Sequence, residues 1–276
     1  MPGVLYLVSL PIGNLADITH RAEDTLRSVD WILAEDTRTT RRVLEHCGIK
    51  TPFFSSLYQG AEQQRIPQIL AQLEKGKHMA LVSDAGTPLI SDPGYPLVRA
   101  TIEHGYSVVP IPGVCAALTA LVASGLPTDR FRFLGALPRG RGERAACFRG
   151  LKDAEDTLVF YESSHRILDS LAIVANELPQ RSIVVARELT KVHEGFRRGT
   201  AVEVAEELQR EDQVRGEFVL LIDRADTPAS PDQHRIEKAI ALLRSEGIAN
   251  KTIVKLIAGL FCIPRNDAYA RVHKSS

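Results

Sequence analysis

Apolar and polar positions follow two different periods along the first 110 residues. Short apolar runs, typical of buried strands, are separated by stretches in which apolar residues recur every three or four positions, as on one face of a helix. The predicted strands are 4–9, 31–34, 79–82 and 106–111, and the predicted helices are 19–29, 39–47, 63–76 and 94–104. Strands that alternate with helices predict a largely parallel sheet with helices on both faces.

The pattern changes after a further predicted helix at 115–124. Strand-like runs at 132–136, 156–162, 183–189 and 217–223 are separated by helical patterns at 164–176 and 202–211, which predicts a second α/β lobe. Helical patterns at 235–246, 252–260 and 265–272 resemble a helix-turn-helix, and a purely structural appendage is the alternative. We therefore predict an α/β lobe at 1–113, a second α/β lobe at 114–224, a linker at 225–234 and a basic helical appendage at 235–276.

Composition places the chain among ordinary globular proteins, with 44% hydrophobic and 25% charged residues. No apolar run approaches the roughly 18 residues of a membrane span, and the first three residues lead directly into a strand-like segment. We therefore expect a cytoplasmic location. The four cysteines, Cys47, Cys115, Cys147 and Cys262, are far apart and the eight histidines form no ligand motif, so we predict no metal.

The formal net charge is zero, but the positive charges are clustered. Residues 224–276 contain nine Lys or Arg against five Asp or Glu, and six arginines lie within residues 130–149. Local basic patches bind phosphates even on a neutral protein, because screening limits the reach of distant acids to about 10 Å. A solvated charged face is the alternative interpretation of each cluster.

Three predicted strands end in unusual loops, at residues 11–14, 35–38 and 83–88. Gly13 and Gly86 would let a ligand approach the backbone, and Asp84 offers an acceptor for a hydroxyl or ammonium group. No P-loop motif occurs, so a nucleoside triphosphate is not the expected ligand. Residues 140–145 fit a Gly-x-Gly-x-x-Ala fingerprint, but they do not directly follow a strand, and we interpret them as a mobile arginine-rich loop.

Five segments, in order along the chain, closely resemble one protein family. They are residues 8–15, 34–38, 83–88, 161–166 and 186–191. The family is that of the bacterial small-subunit ribosomal RNA cytidine 2′-O-methyltransferases, a branch of the tetrapyrrole-methylase-like (class III) S-adenosylmethionine methyltransferases. The resemblance implies two α/β lobes with a cofactor cleft between them, S-adenosylmethionine as the cofactor, and a homodimer.

The resemblance also implies which residues form the cofactor pocket. Asp84 would bind polar groups of the cofactor, Gly86 would keep the pocket wall thin, and Thr87 belongs to the same loop. The full set of implied cofactor residues is Pro11, Ile12, Asp84, Gly86, Thr87, Cys115, Ala116, Tyr161 and Ala186.

Methyl transfer to a ribose hydroxyl requires positioning and a group that accepts the hydroxyl proton. The candidate catalytic residues are Lys191, Glu188 and Glu162, with ion pairs to neighbouring arginines as the alternative for each. We favour Lys191, because two nearby arginines would lower its pKa. The candidate RNA-contacting residues are Asp36, Arg38, Arg139, Arg141, Arg166 and Arg187.

The predicted function is methylation of the 2′-hydroxyl of a cytidine in small-subunit (16S) ribosomal RNA, acting on RNA or on the assembled subunit. One alternative is a small-molecule methylase that acts on a tetrapyrrole or precorrin, against which the clustered arginines argue. The other is a non-catalytic nucleic-acid-binding regulator. Three segments depart from the family pattern: Val114 replaces a proline, residues 57–62 lack the usual polar run, and residues 265–269 contain one added residue.

Overall fold

The structure is a computed structural model that describes residues 1–57, 62–210, 213–225, 233–261 and 263–274. The described residues form two compact units. The main unit comprises Met1–Lys152 and Thr157–Asp223, and the C-terminal unit comprises Asp153–Asp156 and the described part of Arg224–Ser276. Most of the predicted linker 225–234, most of the unusual segment 57–62, and Cys262 lie outside the described residues.

The first lobe of the main unit is built on a five-stranded parallel sheet. Its strands are β1 (Val4–Val8), β2 (Trp31–Ala34), β3 (Phe53–Ser56), β4 (Met79–Val82) and β5 (Ser107–Ile111), in the spatial order β3-β2-β4-β1-β5. All four residues of β4 are buried, as expected for a central strand covered on both faces. The predicted parallel sheet is confirmed, and β3 is a strand that the sequence analysis missed.

The helices of this lobe are α1 (His20–Ser28), α2 (Thr37–His46), α3 (Glu62–Glu74) and α4 (Tyr95–Glu103). Two of them, α1 and α2, begin at a side chain that accepts a backbone N–H group. Thr19 caps α1 and Asp36 caps α2, each satisfying an N–H group of the first turn. Separate clusters of buried apolar residues contain Val8 with Ile32, and Leu5 with Leu33, so neighbouring residues of one strand point to opposite sides of the sheet.

The second lobe is built on a mixed sheet of five strands. Its strands are β6 (Phe131–Ala136), β7 (Thr157–Ser163), β8 (Ile183–Arg187), β9 (Gly195–Gly199) and β10 (Glu217–Ile222), in the order β6-β7-β10-β8-β9. Only β6 and β7 pair in parallel, and the other pairs are antiparallel. The helices are α5 (Ala116–Ser124), α6 (Arg141–Gly150), α7 (Ile167–Glu177) and α8 (Ala201–Gln209).

Two features of this lobe differ from the sequence analysis. Strand β9 was not predicted, because its sequence Gly-Phe-Arg-Arg-Gly has no apolar run. The predicted mobile loop at 140–145 was wrong, because Gly140 precedes the ordered helix α6 and Arg144 is only 3% exposed. The two sheets lie on opposite sides of the predicted boundary at residue 113, and the division into two domains there stays a prediction.

The C-terminal unit contains three helices, α9 (Gln233–Ser245), α10 (Asn250–Leu260) and α11 (Arg265–Lys274). Their shared apolar core consists of Ile236, Ile240, Ile253, Val254, Ile257, Ala268 and Val272. This packing explains the helical spacing of the apolar residues and confirms the predicted helical appendage.

Candidate active site

A cavity of about 500 Å³ lies in the main unit, where loops after the strands of both sheets meet. First-lobe residues Ile12, Gly86 and Thr87 and second-lobe residues Ala116 and Tyr161 all line it. Ligands of parallel sheets bind beyond the carboxyl ends of the strands, and this volume is within the ~300–1,000 Å³ of typical ligand pockets. We call this cavity the cleft.

The loop after β4 is locked to the loop after β1. Leu10 and Gly86 exchange two backbone hydrogen bonds of 2.9 Å, which form an isolated antiparallel bridge. Gly86 has a φ of +74°, and a Cβ atom there would lie 3.2 Å from Cγ2 of Ile12. A side chain at this position would therefore be strained and would press on Ile12, so the glycine keeps the cleft wall thin.

Hydroxyl groups join the same loop to the segment that leads into the second lobe. Thr87 donates a hydrogen bond of 2.9 Å to the carbonyl oxygen of Val114, and the Ser9 hydroxyl lies 3.1 Å from that of Thr87. Proline also has a backbone carbonyl, so the departure at Val114 keeps the acceptor that Thr87 uses. These bonds fix the floor of the cleft.

The second-lobe wall is formed by Tyr161 and the start of α5. The hydroxyl oxygen of Tyr161 accepts a hydrogen bond of 3.3 Å from the backbone N–H of Ala117, and its ring packs edge-on against Phe133. Burial is the main cause that raises the pKa of Tyr161, so its phenol stays protonated at neutral pH. Cys115 lies beside this ring in the cleft wall.

Three residues of the implied cofactor set do not line the cleft. Pro11 and Ala186 are buried, and Asp84 directs its carboxylate elsewhere. Oδ1 of Asp84 accepts a hydrogen bond of 2.9 Å from the backbone N–H of Asp36. Asp84 thereby ties the loops after β4 and β2 together, and its assignment as a cofactor residue stays a prediction.

Glu162 is fully committed within the protein. Its side chain is 0% exposed and forms a salt bridge of 2.7 Å to Arg166. Its two oxygens also accept hydrogen bonds from the backbone N–H of Ser163 and the hydroxyl of Ser170. With both oxygens occupied, Glu162 orients Arg166 and is poorly placed to take a substrate proton.

Arg166 donates most of its hydrogen bonds to acceptors within the protein. Besides Glu162 it donates to the Ser163 hydroxyl and to the carbonyl oxygens of Leu137 and Pro138. It still lines the cleft, where its side chain is 27% exposed. Arg166 is thus a fixed positive charge in the cleft wall rather than a freely moving phosphate clamp.

The expected lowering of the Lys191 pKa was wrong. Nζ of Lys191 forms salt bridges of 2.9 Å to Glu188 and 3.0 Å to Glu217. Partial burial lowers the pKa of Lys191, but the hydrogen bonds and charges of these two carboxylates outweigh it and hold the pKa above its ordinary value. Lys191 is therefore protonated at neutral pH and cannot act as a base.

Glu188 is the partner that anchors this turn. Partial burial raises the pKa of Glu188. Hydrogen bonds from the Glu217 backbone N–H and from Lys191 lower it by more, so the pKa lies below its ordinary value. Glu188 has a φ of +49°, and a Cβ atom on Gly216 would lie 2.6 Å from its Cγ. The carboxylate is held in one place as an ion-pair partner.

The predicted RNA-contacting residues are scattered over the main unit, and most have protein partners. Arg187 donates to the carbonyl oxygen of Arg215 and lies over the ring of Phe218. Arg38 is 90% exposed and pairs with Asp36 at 2.8 Å. Arg141 is 68% exposed and pairs with Asp169 at 3.0 Å, whereas Arg139 is exposed on the loop before α6.

Sequence reasoning missed Asp92, which lines the cleft. Burial is the main cause that raises its pKa, the nearby charge of Asp84 adds to this, and a hydrogen bond with Ser83 opposes it. The signal was present in the second turn, Asp92-Pro93-Gly94, directly after the recognised loop. The cleft also includes Leu189, which lies in the recognised segment 186–191, and the residues that begin β10, for which the sequence carried no signal of a ligand site.

Within the described residues, no group of three or more His, Cys, Asp or Glu side chains is arranged to hold a metal ion. None of the helices in the described ranges is long and apolar enough to cross a bilayer.

Comparison with known proteins identifies the family. The sequence profile of tetrapyrrole (corrin/porphyrin) methylases matches residues 4–205, which include both sheets except β10. The chain belongs to this family. The predicted membership and the predicted fold are thereby confirmed.

Relatives within the tetrapyrrole methylase family resemble the chain over nearly its whole length. "Ribosomal RNA small subunit methyltransferase I" of Escherichia coli O157:H7 is 44% identical over 274 residues, covering 97% of this chain and 93% of that protein. The protein of the same name from Halalkalibacterium halodurans is 41% identical, covering 99% and 95%.

A solved structure shares the fold of this methylase. Uroporphyrin-III C-methyltransferase of Thermus thermophilus, complexed with S-adenyl homocysteine, superimposes with a TM-score of 0.54 at 19% identity and covers 80% of this chain and 97% of that chain.

Proposed function

We propose that this protein transfers a methyl group from S-adenosylmethionine to the 2′-hydroxyl of a cytidine in small-subunit ribosomal RNA. The observation that carries the proposal is identity of 41–44%, over nearly the whole chain, with proteins named as methyltransferases of this RNA. The proposal includes a homodimer and a cytoplasmic location. Its substrate is either free ribosomal RNA or the assembled small subunit.

The cleft suits the cofactor. Its first-lobe wall is thin at Gly86, where a Cβ atom would press on Ile12, and its other walls are largely apolar. The implied cofactor residues that line the cleft are Ile12, Gly86, Thr87, Cys115, Ala116 and Tyr161. When bound, S-adenosylmethionine supplies a methyl group on a positively charged sulfur, which leaves as a neutral thioether.

Asp92 is our candidate for accepting the hydroxyl proton. It lies in the cleft wall, and burial and the charge of Asp84 raise its pKa above the ordinary value, which makes its carboxylate a stronger base. The three carboxylate and ammonium groups predicted earlier are less suited, because Glu162 and Glu188 are held in ion pairs and Lys191 is protonated. The ribose oxygen would attack the methyl carbon while its proton passes to Asp92.

Exposed arginines and lysines supply positive charges for the phosphates of the RNA backbone. Arg38 and Arg139 are exposed, and Lys251 and Lys255 are exposed on α10 of the C-terminal unit. A tetrapyrrole also carries carboxylates, but it is a small molecule, and positive charges distributed over both units suit the extended backbone of RNA better.

The test uses small ribosomal subunits from a strain that lacks this protein, incubated with cofactor labelled in its methyl group. We expect label in the ribosomal RNA at one ribose, located by its resistance to alkaline cleavage on the 3′ side. Labelling of a uroporphyrinogen or precorrin in place of RNA would overturn the proposal. Asp92→Asn should lower the single-turnover rate at saturating cofactor, whereas Glu217→Gln, in the same wall, should retain most of it.

A further inference from the structure

A second cavity of about 440 Å³ adjoins the cleft in the main unit, and we call it the hollow. Cys115 lines both cavities, so a molecule in the hollow lies next to the cofactor site. The hollow is also lined by Asp17 in the first lobe, by Leu118 and Val122 on α5, and by Thr190 in the turn after β8. No step described above uses these residues.

Two side chains of the hollow contain buried polar atoms that lack a partner. Within the described residues, five buried side-chain atoms have no hydrogen bond, and two of them are Oδ2 of Asp17 and Oγ1 of Thr190. An unpaired buried polar atom costs about 1–3 kcal/mol, so such atoms are rare unless they serve a purpose. Their occurrence on two residues of one cavity points to a polar ligand there.

The local backbone holds both residues at the hollow. Asp17 ends a short 3-10 helix, Leu15–Asp17, whose start is capped by the side chain of Asn14. Thr190 has a φ of +66°, a strained conformation for a β-branched residue. The next residue, Lys191, is fixed by its two salt bridges, so the strained turn cannot relax freely.

The chemistry of the hollow fits a cytosine base. Cytosine presents an amino group that donates hydrogen bonds, next to ring acceptors, and an aspartate is a usual acceptor for that amino group. The Thr190 hydroxyl can donate to a ring acceptor, and Leu118 and Val122 offer apolar contacts to the flat faces. Uracil has a carbonyl oxygen in place of the amino group, and a carboxylate repels it.

We propose that the hollow binds the base of the target nucleotide and that Asp17 selects cytosine over uracil. The inference rests on the proposed function, because it assumes an RNA substrate. The base must leave its stack to enter the hollow, as in other enzymes that modify nucleotides. Oδ2 of Asp17 and Oγ1 of Thr190 are closed off from solvent, so a rotation about χ2 of Asp17 and about χ1 of Thr190 must accompany binding of the base.

The test compares substrates that differ only in the target base. Subunits carrying cytidine or uridine at the mapped position are methylated under single-turnover conditions, and their binding is measured in parallel. We expect the wild-type protein to favour cytidine at least about tenfold in rate or binding, since one good base contact contributes about 1–3 kcal/mol. Asp17→Asn should bring this ratio close to one, because an amide can donate to the uracil carbonyl.

Controls separate base selection from folding. Asp24→Asn changes an acid that is 79% exposed on the following helix, and it should leave the ratio unchanged. Thr190→Val should slow methylation of cytidine, while Thr190→Ser retains the hydroxyl and should restore most of the rate. Each variant is checked for unchanged thermal unfolding and unchanged affinity for S-adenosylhomocysteine.

The outcomes distinguish the two levels of the proposal. If the wild-type protein does not methylate the cytidine subunit, the proposed function fails. If it does, and folded Asp17→Asn retains the wild-type preference for cytidine in rate and in binding, then the hollow does not read the base. If Asp17→Asn is inactive on both substrates, the binding ratio alone decides: a ratio near one supports the inference, and the wild-type ratio overturns it.

Discussion

The side chain of Lys191 fills the space that a side chain at Gly13 would need: a Cβ atom on Gly13 would lie 2.4 Å from Cγ of Lys191 and 2.9 Å from its Cε. The aliphatic stem of the lysine thus lies where the loop after β1 has no side chain. Its ammonium group is held by Glu188 and Glu217 at the other end. Lys191 therefore joins the loop after β1 to the turn after β8, which is a structural role and not that of a base.

Substituting Gly13 with alanine should disturb this contact. Because the lysine stem is pinned at its tip, it cannot move aside without weakening the salt bridges, and overpacking of this kind typically costs about 1–3 kcal/mol. We expect Gly13→Ala to lower the free energy of unfolding by about that amount, measured by urea denaturation. Lys191→Ala removes the obstacle, so the cost should largely disappear in the double variant.

The matched control for Gly13→Ala is Gly142→Ala. A Cβ atom on Gly142 would meet nothing within 4 Å, and Gly142 lies inside α6. There the substitution should stabilise the protein by up to about 1 kcal/mol, because alanine favours helix. Equal destabilisation by both substitutions would contradict the proposed contact.

The ion pair of Lys191 with Glu188 should leave a signature in the pH dependence of stability. The raised pKa of Lys191 stabilises the fold below its ordinary value of 10.5, and this contribution is lost as the pH rises through the folded-state pKa. The lowered pKa of Glu188 stabilises the fold above its ordinary value of 4.5, and this is lost as the pH falls through the folded-state pKa.

We therefore expect Lys191→Met to be less stable than the wild-type protein by a constant amount between the two ordinary pKa values. The difference should shrink in stronger acid and in stronger alkali, as measured by urea unfolding at a series of pH values. A difference that changed most near neutral pH would instead mean that Lys191 titrates there, as a base would.

How much the sequence predicts depends on burial. Strand β4 was predictable because every residue is buried, so its sequence is an uninterrupted apolar run. Strand β3 contains two serines and is only half-buried, and β9 contains two arginines, so neither shows the pattern of a core strand. Each is held by hydrogen bonds to a neighbouring strand, β2 for β3 and β8 for β9, which the pattern of a single segment does not reveal.

The candidate site was predictable to the level of loops but not of individual roles. Ile12, Gly86 and Tyr161 lie in the cleft because each follows or ends a strand, which motif and topology both indicate. Whether a carboxylate is free depends on the cation it meets in three dimensions. The ion pair of Glu162 with Arg166 joins residues that are close in the sequence, so the sequence can suggest it. The ion pair of Glu217 with Lys191 joins residues that only the fold brings together.

The arginine cluster at 130–149 should divide into structural and RNA-binding members. Arg144 is buried, donates to carbonyl oxygens of Pro138 and Arg139, and forms a salt bridge with Asp169. Arg144→Ala removes a buried donor from these carbonyl oxygens and a buried charge partner from Asp169, and we expect it to lower the free energy of unfolding by about 2–4 kcal/mol.

Arg139→Ala is the matched substitution on the exposed side of the same segment. It should change stability by less than about 0.5 kcal/mol, because the side chain is exposed, while weakening binding to small subunits. Calorimetric unfolding and equilibrium binding of both variants test this division. Similar losses of stability in both would show that Arg139 also supports the fold.

The C-terminal unit should bind RNA through α10. Ile253, Val254 and Ile257 face the core of the three helices, which leaves Lys251 and Lys255 exposed one turn apart on the opposite face. If both contact phosphates, their replacement by alanine should weaken binding at low salt and reduce the slope of log K against log salt by about one for each lysine. Affinity for S-adenosylhomocysteine should not change, because the cleft lies in the main unit.

Lys50→Ala, at an exposed position of the main unit, is the control for a general loss of charge. An unchanged salt slope in the Lys251→Ala, Lys255→Ala variant would mean that α10 does not touch the RNA backbone and that the unit has another role.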